Sequence, residues 1–175
     1  MFEIQPMNAA TYRQQTRRST LIIAVLFLVL AMLFSTVAVA LFGEPGGDNL
    51  RFNVGGVFVA FFLTAGLLRG RFWNQTWMAP AVYGWRLKRS LMSVTNVMHQ
   101  VTAAVEKGDP TAMKVLRFYH LGLTQMHELD GNSSDHGQLQ REVAAHQARM
   151  HEMGLDTEQT RLDPAWLEGL KPTSR

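Results

Sequence analysis

The chain has 175 residues and no cysteine. That excludes disulfides, thiolate metal sites and cysteine nucleophiles, and it fits a reducing compartment. The net charge of +3 joins two unlike regions: residues 1–90 hold nine Lys and Arg against three Asp and Glu, residues 91–175 eight against eleven.

Residues 1–19 read as a short, mostly polar tail. The run 20–42 then carries no charged side chain. As a helix it covers roughly 34 Å, enough to cross a hydrocarbon core of about 30 Å. A second apolar run, 52–68, covers about 26 Å, near the lower limit for spanning. The turn between them, 43–51, holds Glu44, Asp48 and a single Arg. Arg13, Arg17, Arg18, Arg69, Arg71, Arg86, Lys88 and Arg89 flank the outer ends. Cations so placed point to membrane topology rather than to nucleic acid, with both termini cytoplasmic and the turn outside. A cleaved signal sequence is the competing reading of 20–42, through the small residues at Ala38 and Ala40. The run is too long for one, and a second span follows. Ala24, Ala31, Ser35 and Ala38 on the first span, with Gly56, Ala60 and Thr64 on the second, make small-residue faces for close helix contact. Neither span holds an ionisable residue, which argues against a pump or transporter built from this chain alone.

Residues 69–85 form an aromatic and basic elbow. Arg69, Arg71, Phe72, Trp73, Trp77 and Trp85, continued by Arg86, Lys88 and Arg89, have the composition of a membrane–water interface. Residues 86–175 read as helices with narrow apolar seams on alternating steps of four and three. Leu91, Val94, Met98 and Val101 lie on the first seam, Leu116, Leu123 and Met126 on the second, and Val143 and Met150 on the third. Gly108, Asp109 and Pro110 supply a helix stop, an N-cap and a first helical position. Asp135 and Gln138 have capping-box spacing. A last short helix starts at Asp163 and Pro164. The expected fold is all-α: a transmembrane helical hairpin, then a small cytoplasmic antiparallel helical bundle.

Four stretches carry a resemblance: YRQQTRRSTLI near the N-terminus, the turn LFGEPGGDN, the elbow MAPAVYGWRLKRSLMSVTNVMH, and GDPTAMKVLRFYHLGLTQMHELDGNSS. Together they resemble a family of small uncharacterised bacterial inner-membrane proteins, over nearly the whole chain. The resemblance implies a bacterial inner (plasma) membrane location. It brings no activity, cofactor or catalytic residue.

All six histidines lie after residue 98. His120 and His127, seven apart, share a helix face, and His146 occupies a seam position where an apolar residue is expected. They are the candidates for a metal or haem site. Against that stand exposed polar roles for His120 and His127, and a half-buried, hydrogen-bonded or pH-sensitive role for His146. No H-E-x-x-H, P-loop or nucleophile elbow occurs. Ser133, Ser134, Asp135 and His136 are consecutive, and adjacency gives none of the geometry of a triad. The expectation is therefore a membrane-anchored interaction or scaffold module rather than an enzyme. It needs no cofactor, and its partners are the lipid bilayer and a protein or a second copy. A histidine-based sensor and a small oligomeric pore are the alternatives.

Overall fold

The computed structural model describes residues 1–131 and 137–170. Among them are seven α-helices and one two-stranded sheet. They fall into two compact units, Gln14–Val82 and a second made of Met1–Arg13 with Tyr83–Arg175.

The first unit is built on two long helices. Helix α1, Ala9–Phe42, starts well before the apolar run. Asn8 caps it, its side-chain oxygen accepting from Thr11 N at 3.0 Å, and the polar residues that follow are tolerant of helix. Helix α2, Leu50–Leu67, continues into a π-helical turn, Leu68–Phe72. Both α1 and the stretch Leu50–Phe72 are long and apolar enough to cross a membrane. The turn before α2 is closed by Asn49, whose side chain both accepts from Glu44 N and donates to Glu44 O, each at 3.1 Å.

The two helices run antiparallel. Phe42 stacks on Phe52 at 6.2 Å between ring centroids, and Ser35 Oγ donates to Asn53 O at 2.9 Å. Gly56, Ala60 and Thr64 are the buried residues of α2, and a Cβ at Gly56 would collide with the backbone of Ser35. On α1, Ala31 is buried, Ser35 and Ala38 are half-buried, and Ala24 is exposed. Small side chains thus let the backbones approach, as they do where lipid supplies no hydrophobic drive for pairing.

The second unit is a helical bundle. Its helices are the later part of α3 (Ala79–Thr95), α4 (Met98–Glu106), α5 (Pro110–Asp130), α6 (Gly137–Glu152) and α7 (Pro164–Leu170). Helix α5 is central and packs against α4, α6 and α7. Gly108, at φ +79°, turns the chain between α4 and α5. Asp109 Oδ1 then accepts from Thr111 N at 2.7 Å and Ala112 N at 2.9 Å, with Pro110 at the first helical position. Gly131, at φ +70°, ends α5 in the left-handed conformation that glycine adopts without a Cβ penalty.

Four features differ from the sequence expectation. First, residues 1–13 belong to the bundle unit rather than to a loose tail. Strand β1, Phe2–Glu3, pairs antiparallel with β2, Arg161–Leu162, so the fold is not purely helical. Phe2 reaches Tyr83 and Phe118, with ring centroids 5.7 and 6.3 Å away, and Ile4 also packs on the core. Phe2 and Ile4 alternate with Glu3, the period of a strand with one buried face. A hydrogen-bond circuit holds the segment: Tyr83 Oη donates to Gln125 Oε1 at 2.5 Å, Gln125 Nε2 to Gln5 O at 2.6 Å, and Gln5 N to Tyr83 Oη at 3.1 Å.

Second, the elbow, where the sequence suggests only a helix start or kink at Pro80, is mostly ordered helix. After the π-helical turn and a 3-10 turn at Thr76–Met78, α3 runs from Ala79, so Trp85 lies inside a helix. Third, the helix expected to carry the first seam unbroken through Leu91, Val94, Met98 and Val101 breaks between Thr95 and Met98. Thr95 Oγ1 donates back to Leu91 O at 3.0 Å, and Val97 sits at φ −119°, ψ 17°. Side-chain bonds of this kind compete with the helix ladder. The break brings Val97 into the core, and Met98 is only half-buried. Fourth, the buried stripe of α5 is not the expected one. Leu116, Leu123 and Met126 are half-buried, while Val115, Phe118, Gly122 and Leu129 are buried. Gly122 admits its neighbours: a Cβ there would lie 2.9 Å from Leu91 Cδ2 and 3.3 Å from Leu87 Cδ1. The other seam positions are Leu91, Val94, Val101 and Met150, all buried, and Val143, half-buried. The capping pattern at Asp135 and Gln138, and the run from Ser133 to His136, lie outside the residues whose side chains are described.

Candidate functional site

Two places in the bundle unit concentrate chemistry-bearing groups. One is buried between α5 and α6. His120 and His146 meet edge to face, with ring centroids 5.3 Å apart and 5% and 7% of each residue exposed. His146 Nε2 lies 3.0 Å from Met113 O. A carbonyl only accepts, so that nitrogen carries the proton and Nδ1 is left as the acceptor. Arg117, one turn before His120 and 4% exposed, donates from Nε to Thr157 O at 2.7 Å. Among the described residues, His120 Nδ1 and Arg117 Nη1 have no hydrogen-bond partner.

The electrostatics keep both imidazoles neutral. Burial is the main cause that pushes the His120 pKa down to about 4, helped by His146 and the Arg117 guanidinium, with Glu142 opposing. Burial also lowers His146, against the hydrogen bond to Met113, and Arg117 and Arg149 add to the lowering. His127 is half-buried near the end of α5 and does not complete a ligand set with the other two. Among the described residues no three of His, Cys, Asp or Glu are grouped to hold a metal. The pair is therefore a neutral, tightly enclosed polar contact in the core. Its signal in the sequence was His146 at a seam position. Nothing in the spacing marked Arg117, which looks like any exposed helix arginine until loop 153–160 supplies the Thr157 carbonyl.

A neutral buried histidine makes stability depend on pH. The unfolded state takes up a proton near 6.5 and the folded state only near 4. Stability is therefore full above about pH 6.5 and is lost as pH falls towards 4. His120 accounts for about 3 kcal/mol of that loss. Urea-dependent pulse proteolysis of the full chain in detergent at pH 7.5 and pH 4.5 should record it, and His120→Gln should flatten the dependence. A stability profile unchanged by His120→Gln would show that the group titrates normally in the fold.

The second place is the outward face of α3. Trp85, Arg86, Lys88 and Arg89 are all exposed there. The Arg89 guanidinium lies over the Trp85 ring, 5.2 Å from its centroid, and Lys88 Nζ is 3.2 Å from Asp130 Oδ2. Close by in the same unit, Arg13 Nη1 donates to Glu128 O at 3.1 Å, at the C-terminal end of α5, where a cation complements the helix dipole. The remaining expected interface residues lie in the other unit: Arg69 and Arg71 are exposed, and Phe72, Trp73 and Trp77 are half-buried. There Arg69 lies over the Trp73 ring at 5.5 Å, and Phe72 and Trp77 pack at 5.6 Å. Ser19 Oγ donates to Trp77 O at 2.6 Å, fixing the residues after the π-helical turn against α1.

No curated protein and no solved structure matches the chain. A family model does match, over residues 2–167, a span that takes in both long apolar helices and the whole described bundle apart from the last residues of α7. Its description is "Protein of unknown function (DUF3087)", and this chain belongs to that family.

Proposed function

We propose that the chain is a membrane-anchored interaction module of a bacterial inner membrane, with a transmembrane hairpin and both termini in the cytoplasm. The observation that supports this most is how little of the apolar helices their own chain covers. Only 6% of the most apolar window of α1 is buried, and 17% of that of Leu50–Phe72. A core helix of a water-soluble protein of this composition would be mostly covered. Here Leu28, Met32, Phe58 and Phe62 are between 58% and 73% exposed, on helices with no charged side chain in 20–42 or 52–68. Water does not tolerate so large an apolar surface, and a bilayer does. The basic flanks support that orientation.

The bundle is read as a display domain rather than an enzyme. Its buried polar cluster is enclosed and neutral, and the exposed face of α3 is cationic and aromatic, which suits a surface partner. The sensor alternative is disfavoured near neutrality, because burial keeps His120 and His146 uncharged there. The pore alternative has no ionisable group in either span to line a path.

The experiment is alkaline carbonate extraction of membranes holding the full chain, followed by purification in mild detergent. The expected result is retention in the membrane pellet and a reproducible stoichiometric assembly, with a second copy or another protein. Release by carbonate would contradict the anchor. A solitary monomer at every concentration, with no companion from native membranes, would contradict the interaction role.

A further inference from the structure

We propose that the outward face of α3 is a docking surface for anionic phospholipid, laying the bundle against the membrane that anchors it. This rests on the anchored reading above and goes beyond it, since an anchored domain can equally hang free of the bilayer.

The seventeen residues of α3 include no Asp or Glu. Its core side is set by Leu87, Leu91 and Val94, which are 1%, 5% and 0% exposed. On the opposite side Trp85, Arg89 and Met92 follow at steps of four and three, so they share one face. Arg86 and Lys88 flank that row. Trp85 is 47% exposed and Met92 64% exposed, unusual values for large apolar side chains on a helix that otherwise buries its hydrophobic residues. A row of Trp and Met bordered by cations is the composition of a helix lying in a headgroup layer. The rings and thioether enter the acyl boundary and the cations meet phosphate.

Three features of this face favour lipid over a protein partner. The charge on this face is of one sign, and Asp130, the acidic neighbour, is taken up by Lys88 at 3.2 Å. The Arg89–Trp85 contact keeps a cation over the face of an indole, the pairing expected where an apolar layer meets an anionic one. Finally, the chain leaves its second apolar helix at Phe72 and enters α3 at Ala79, so only residues 73–78 lie between the two helices in sequence.

The absence of cysteine permits a direct test. A single spin label at Met92→Cys in the otherwise native full chain reports depth by its collision rates with oxygen and with a water-soluble nickel chelate. Gln147→Cys, on the exposed side of α6, is the control. The chain is reconstituted in vesicles of phosphatidylcholine alone, or with phosphatidylglycerol. The expected result is a label at headgroup depth only when phosphatidylglycerol is present, with the control in water throughout. Arg86→Glu with Arg89→Glu should return the Met92 label to water, shifting the docking equilibrium about a hundredfold or more. Unchanged circular dichroism of the double variant separates this from unfolding, and Arg86→Gln with Arg89→Gln should give an intermediate loss.

A label that stays in water in both vesicles, in protein that floats with them, overturns the proposal and leaves the anchor standing. Equal depth in neutral and anionic vesicles overturns the charge-based recognition. Immobilisation that grows with the protein-to-lipid ratio assigns the face to a second copy instead. Protein that fails to float with vesicles refutes the anchor, and this inference with it.

Discussion

Phe118→Ala is expected to destabilise the bundle by about 3–5 kcal/mol, the usual cost of emptying a fully buried aromatic site. Phe118 is completely buried and is the largest side chain among the fully buried residues. It lies on the central helix and meets the ring of Phe2, so its loss loosens both α5 and the docked N-terminal strand. Leu123→Ala, five residues further along the same helix, should cost only about 1 kcal/mol, because Leu123 is half-buried and surrenders less area. Both variants would be made in the full chain and compared by urea-dependent pulse proteolysis in detergent. Equal losses at the two positions would mean that the buried stripe of α5 runs along the 116, 123, 126 edge after all.

The second large effect is expected in the apolar pair. A side chain at Gly56 has nowhere to go: a Cβ would meet the backbone nitrogen of Ser35 and lie 2.6 Å from the carbonyl carbon of Phe34. Backbone does not yield as a side-chain tip does, so Gly56→Ile should force α1 and α2 apart at a cost of about 1–3 kcal/mol or more. Gly55 is its neighbour in sequence, yet a Cβ there meets nothing within 4 Å, so Gly55→Ile should be nearly neutral. Phe27 and Phe61 line one groove between the two helices. Cysteines introduced at those positions should cross-link with a short bis-maleimide in the parent and in Gly55→Ile, and poorly in Gly56→Ile. Efficient cross-linking in Gly56→Ile would place the helix contact elsewhere.

Much of the helical layout was legible because its signals are local. The stop and cap at Gly108, Asp109 and Pro110 work within one turn and appear in the structure with the expected bonds. The long apolar runs needed only counting. The small-residue spacing at Gly56, Ala60 and Thr64 picked out the buried side of α2.

What escaped was set by tertiary context. The strand at Phe2–Glu3 is two residues long, and its partner lies about 160 residues away, so no periodicity could announce it. The buried stripe of α5 departs from the spacing of its Leu and Met residues because Leu87 and Leu91 reach towards Gly122, which has no apolar side chain to mark it. The break before Met98 turned on side-chain bonds that a heptad count ignores. At the candidate site, His146 stood out by occupying an apolar position. The burial of His120 and Arg117 depended on how α6 and the following loop close over α5.

The anchored, two-span topology is the claim on which the functional reading rests, and single-cysteine labelling in spheroplasts tests it most directly. Gly46 lies in the turn between α1 and α2 and Gly169 near the end of α7; both are exposed and a Cβ at either meets nothing within 4 Å among the described residues, although at Gly46, with φ +73°, a side chain strains the turn locally. With no native cysteine to interfere, Gly46→Cys should react with a membrane-impermeant maleimide in intact spheroplasts, and Gly169→Cys only after permeabilisation. Labelling of Gly169→Cys in intact spheroplasts, or protection of Gly46→Cys until the membrane is opened, would contradict the account.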